Sequence, residues 1–164
     1  MCGHYASAQP PEFIARLFRT VNALPNAAPS WNIAPSQSAM VVRRHPATGE
    51  RHLDLLQWGL VPHWTKDPPK TKHPVNARAE AGATSGMFRG AFAQLRCLVS
   101  ADAFYEWKVP EGSTQPYAIA RHDGQPMANP SSQSSPAKAS GDVKWIACIP
   151  SKAAAAALVA LSSI

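Results

Sequence analysis

A mixed fold of the α+β class is what the chain predicts, on three observations. Its 164 residues suit one domain that buries a core without disulfide staples. One segment near the N-terminus has a helical period. Several later segments have the short aromatic and β-branched make-up of strands set between turn residues. Taking the elements in order, Pro10-Pro11 before Glu12 reads as a helix start, and Phe13, Ile14, Leu17 and Phe18 then fall on one helical face. Asn22 to Gln37, rich in Pro, Asn and Ser, reads as loop with Trp31 inside it. Ala39 to Val42 reads as a strand, His45 to Gly49 as a turn, and His52 to Trp58 as the returning strand. A second long loop follows from Trp58 to Pro74, and a short helix is expected around Arg78 to Ala81. Arg96 to Ala101, Ala103 to Lys108 and Tyr117 to Ala120 read as further strands, with His122-Asp123-Gly124 a strong turn signal.

The composition changes at Asn129. From there to Gly141 the chain is mostly Ser, Pro, Ala and Gln, which suits a flexible segment. A short hydrophobic piece, Trp145 to Ile149, precedes an alanine-rich end. The expected division is therefore residues 1–128 as the structured portion and 129–164 as an atypical tail.

Lys and Arg outnumber Asp and Glu by 16 to 10, a net charge of +6 that favours an anionic partner such as nucleic acid. Three cysteines, Cys2, Cys97 and Cys148, are an odd number without CxxC spacing. They suggest neither a disulfide framework nor a zinc site, and no metal or other cofactor is expected. A reducing cytoplasm fits this cysteine usage. No charged-then-apolar leader is present at the start, and the longest apolar run, Ala153 to Leu161, is too short to span a bilayer. No membrane partner is expected.

The chain opens Met1-Cys2-Gly3. Removal of Met1 leaves a cysteine carrying both a thiol and a free α-amine, whose ordinary pKa of about 8 keeps much of it neutral. Such an amine condenses with an aldehyde to an imine, and the neighbouring thiol closes a five-membered thiazolidine. An internal cysteine cannot do this.

Four further motifs follow in order: Trp31-Asn32-Ile33-Ala34-Pro35, Trp58-Gly59-Leu60-Val61-Pro62-His63-Trp64, Asn76-Ala77-Arg78-Ala79-Glu80, and Arg96-Cys97 through Phe104-Tyr105-Glu106-Trp107. Each alone is weak. In this order, together with Cys2-Gly3, they resemble the SOS response-associated peptidase (SRAP) family over residues 1 to about 128. The resemblance implies one α+β domain with a β-rich core and short flanking helices, here expected to be truncated at its C-terminus. It also implies a DNA-damage protein, acting in the cytoplasm and on the nucleoid. Such a protein binds single-stranded DNA as a monomer, crosslinks to abasic sites through Cys2, and removes the residue before Cys2 autoproteolytically.

The residues suit those roles. Glu106 lies between aromatic neighbours, and burial that raises a carboxyl pKa suits it to shuttle protons. Asn76 offers an amide donor and acceptor to hold a hydroxyl or reacting oxygen. Arg78 would reach the same side if this stretch is extended, and suits a phosphate. Trp31, Asn32 and Trp64, beside Lys66, Lys70 and Lys72, have the pairing of rings and cations that single-strand binding uses. Against this stands the ordinary expectation that Trp is core and Lys a solvated face, which is accepted for Trp58 and Trp107. Cys97 reads as a core thiol.

Two departures from the family matter. His4 stands where the family commonly has an arginine suited to phosphate. The family's downstream histidine, usually in His-x-x-Met-Pro, has no counterpart, since no histidine follows His122. Two alternatives stay open: a cysteine-type hydrolase without a DNA role, and an inactive fragment.

Overall fold

The computed structural model describes residues 3–62, 64–66, 73–108, 115–133 and 145–148. In chain order these form β1 (Tyr5–Ser7), α1 (Pro11–Phe18), β2 (Ser30–Ile33), β3 (Ser38–Arg44), β4 (Arg51–Trp58), α2 (Ala79–Gly82), α3 (Arg89–Gln94), β5 (Arg96–Ala101), β6 (Ala103–Lys108), β7 (Gln115–Ala120), β8 (Met127–Gln133) and β9 (Trp145–Cys148). The architecture is β-rich α+β. Strands β3-β4-β9-β8-β5 close a barrel, and β2-β1-β6-β7 form a four-stranded sheet.

Strand β3 shows why the barrel forms. Its five central residues, Ala39 to Arg43, are buried on both faces. Ala39 and Val41 join a core cluster with Leu56, Trp58, Cys97 and Val99, which reaches the sheet through Tyr5 and Ile33. Met40 and Val42 face the other way, onto Ile14 and Phe18 of α1. Each such side chain, fully buried, contributes about 1.5–3 kcal/mol. Helix α1 starts with Pro11 at its first position, where a missing N–H costs nothing, and stops at Arg19 in the left-handed region (φ 53°). Leu17, expected on the buried face, is exposed instead. Between β3 and β4 the turn at Gly49 takes φ +72°, a conformation that favours glycine. Arg43 is buried, and its Nε donates to Asp54 at 2.5 Å across this hairpin.

Strands β5 and β6 are separated by Asp102 alone, so one stretch of chain leaves the barrel and continues into the sheet. The Asp102 carboxylate fixes that corner by accepting from the N–H groups of Ala8 (2.6 Å) and Gln9 (3.2 Å). The turn after β7 is held by Arg121, which donates to the Asp123 carboxylate and keeps that carboxyl well below its usual range.

Several elements differ from the sequence expectation. Tyr5–Ser7 is a strand too short to show any period, and Ser30–Ile33 is a strand within the expected loop. Both owe their conformation to pairing: Tyr5 with Ile33 on one side and with Phe104 on the other. Helix α3 has no counterpart among the expected elements. The larger correction concerns residue 128. Strand β8 runs through it, and Asn129–Gln133, expected to be flexible, lie in this strand, with 129–132 paired to β5. Trp145–Cys148 form β9, which pairs antiparallel with β8 and parallel with β4 and so closes the barrel. The remainder of the expected flexible segment, 134–141, lies outside the described residues.

Candidate functional site

Glu106 stands on β6 between β1 and β7. Tyr5 pairs with Phe104 and Ala6 with Ala103, so the chain ahead of Tyr5 runs alongside Tyr105 toward Glu106. The Tyr105 N–H donates to the His4 carbonyl (3.1 Å). On the other side, Glu106 pairs with Tyr117. Glu106 is half-buried, and it lines a depression of about 380 Å³ together with Trp107, Tyr117 and Ile119.

Alternation along β6 puts Phe104 and Glu106 on one face and Tyr105 and Trp107 on the other. Phe104 packs on the core, whereas Trp107 is 46% exposed, which corrects the expectation that it is a core residue. Its ring meets the His4 imidazole edge-on at 6.1 Å. His4 Nδ1 lies 2.6 Å from Asn32 Oδ1. The Tyr105 hydroxyl donates to the Trp31 carbonyl (2.7 Å), tying β6 to β2 across β1. Trp31 itself is 71% exposed. His4 and Asn32 are thus brought together with Trp107, a residue that its sequence alone assigns to the core. The signal for its true place is the two-residue alternation with Phe104.

Asn76 is positioned by a second set of contacts. Trp58 is fully buried, its ring 5.5 Å from that of Tyr5. Its Nε1–H donates to the Val75 carbonyl (2.7 Å), while the Leu60 N–H donates to the Pro74 carbonyl (2.8 Å). The half-buried Asn76 is therefore anchored to the same core cluster that carries β1. Arg78, with φ −67° and ψ 134°, is extended and exposed just before α2. Trp64 and Lys66 are exposed in the segment after Pro62. Among the described residues, no hydrogen bond or ion pair ties Lys66 or Arg78 to the His4–Asn32 cluster. Cys2, Lys70 and Lys72 lie outside the described residues. Cys97 is buried, as expected. Among the described residues no group of three His, Cys, Asp or Glu is placed to hold a metal, and no helix is long and apolar enough to cross a membrane.

Comparison with known proteins gives a consistent picture. The model of the SOS response associated peptidase (SRAP) family matches residues 1–161. The chain is 34% identical to the abasic site processing protein YedK of Escherichia coli over 132 residues, covering 77% of this chain and 57% of that protein. It is 36% identical to the abasic site processing protein YoqW of Bacillus subtilis over 110 residues, covering 66% of this chain and 48% of that protein. The chain thus spans about half the length of these curated relatives. A crystal structure of a Bacteroides thetaiotaomicron protein superposes with a TM-score of 0.76 at 16% identity, over 90% of this chain and 67% of that one, a likeness of fold.

Proposed function

Since the chain belongs to the SRAP family, we propose that it acts on abasic sites in single-stranded DNA and links to them covalently through Cys2. The observation that carries this reading is the register of β1 on β6, which leads the N-terminal residues along Tyr105 toward a half-buried carboxylate.

In the proposed reaction the ring-opened abasic sugar presents an aldehyde. The Cys2 amine, freed by removal of Met1, adds to the aldehyde carbon and forms a C–N bond. The carbinolamine loses water to give an imine. The thiol sulfur then adds to the imine carbon, its proton passes to nitrogen, and the thiazolidine ring closes. Water is the sole by-product, and no oxidant or reductant is needed. Glu106 donates the proton that lets hydroxide leave as water, and takes one from the thiol. Asn76, held through Val75 and Trp58, orients the sugar hydroxyl or the departing oxygen. Trp64 stacks on a base, while Arg78 and Lys66, with Lys70 and Lys72, meet phosphates. Asn32 holds His4 toward the same strand. Autoproteolytic removal of Met1 belongs to the same reading.

The test is incubation with matched oligonucleotides, with and without an abasic site, followed by a denaturing gel. The expected outcome is a slower band with the abasic strand alone, absent in Cys2→Ser, whose hydroxyl cannot close the ring. A Cys2→Ser adduct as stable as the wild-type one would exclude thiazolidine chemistry.

A further inference from the structure

The far end of the β3–β4 hairpin carries cations that the candidate site does not use. Arg44 and Arg51 face each other directly across the hairpin. Like charges placed opposite one another weaken a sheet. Each side chain is pinned by one backbone bond, Arg44 Nη1 to the Gly49 carbonyl (3.0 Å) and Arg51 Nη1 to the Phe18 carbonyl (3.2 Å). The second bond brings the C-terminal end of α1 alongside, with Arg16 and Arg19 both exposed. The negative end of the helix dipole accounts for cations there, Arg51 included. It does not account for Arg44 opposite Arg51. Among the described residues none of the four arginines pairs with a carboxylate, although the exposed Glu12 lies four residues before Arg16 on α1 and the exposed Glu50 precedes Arg51. Arg43, beside them, is already neutralised by Asp54. The result is an exposed cationic surface at the opposite end of β4 from Trp58. The strand is eight residues long including both ends, so they lie about 23 Å apart at ~3.3 Å per residue.

We propose that Arg16, Arg19, Arg44 and Arg51 form a second phosphate-binding surface, which takes the backbone of a nucleic-acid strand that continues beyond the candidate site. The guanidinium groups meet successive phosphates, and the repulsion between Arg44 and Arg51 is relieved by the anion between them. This rests on the nucleic-acid part of the proposed function but not on its covalent chemistry.

The experiment uses the full chain and an Arg16→Gln/Arg44→Gln double variant, which spares Arg51 at the helix end and the left-handed Arg19. Anisotropy titrations over a range of salt are made with undamaged single strands of about 6 and about 30 nucleotides, the first within and the second well beyond usual single-strand site sizes. For the long strand the log–log salt slope should fall by about 1.4, or ~0.7 for each phosphate no longer neutralised. For the short strand neither slope nor adduct formation at an abasic site should change. An unchanged slope with the long strand overturns the proposal, as does a variant that loses binding to phosphatidylserine vesicles while keeping its slope on DNA. A urea midpoint equal to that of the parent chain excludes misfolding as the cause. If the parent chain binds undamaged strands but gives no abasic adduct, the covalent reading fails, and the second surface is decided by the long-strand slope alone.

Discussion

Glu106 and Asp54 are both carboxylates on strands, and their surroundings give them different work. Glu106 is half-buried at the edge of an open depression, and the proposed reaction assigns it the proton transfers to and from a bound sugar. Glu106→Gln keeps the shape and removes that capacity, so the rate of adduct formation should fall by roughly 10²-fold or more while reversible DNA affinity changes little. Single-turnover trapping set against anisotropy separates the two effects. Asp54 instead neutralises Arg43, which is only 5% exposed. Asp54→Ala would leave a buried guanidinium without its counter-charge and should cost about 3–5 kcal/mol in a urea titration. Replacing both residues by leucine should recover most of that loss, because neither charge is then stranded.

Among the elements, those with strong internal patterns were legible in the sequence. Strands β3 and β4 alternate between two buried clusters and are joined by a glycine turn, so their existence and pairing followed from composition and spacing. Strands β1, β2 and β8 were not legible, since each owes its state to its neighbours. Met127–Gln133 contains Pro130 and two serines, a poor strand by propensity, yet Ser131 and Ser132 are buried between β5 and β9. The motifs point to Asn32 and Glu106 as candidates, and the structure places both on the β2-β1-β6-β7 sheet. The exposure of Trp107 required knowing which face of β6 meets the core. The Trp58–Val75 bond makes a prediction at this scale. Trp58→Phe keeps most of the ring packing but removes the Nε1–H donor. The segment carrying Asn76 should loosen, read as faster amide exchange at Leu60, whose N–H donates to the Pro74 carbonyl. Adduct formation should slow without loss of Glu106.

For the whole molecule, the division at residue 128 expected from composition has a direct test. A change below about 1 kcal/mol on deleting 129–164 would suit a tail that packs weakly. The structure leads to the opposite expectation, because that deletion removes most of β8 and all of β9, and with them the closure of the barrel. The buried serines of β8 and the ladder along β5 and β4 would go together. A loss on the order of the full stability of a small domain, ~5–15 kcal/mol, is expected, seen as the disappearance of a cooperative thermal transition.

The parallel seam between β4 and β9 also sets the order of events during synthesis. Gln57 and Trp58 leave the ribosome long before Trp145 and Ile146, their partners in the closed barrel. Local hairpins such as β3–β4 can form early, but the outer edge of β4 waits unpaired until the last strand arrives. Throughout that interval the nascent chain presents an open strand edge beside an apolar core, a template for pairing with another chain. The time spent with that edge open, rather than the stability of the finished barrel, is then what governs how much of the newly made protein aggregates before it closes.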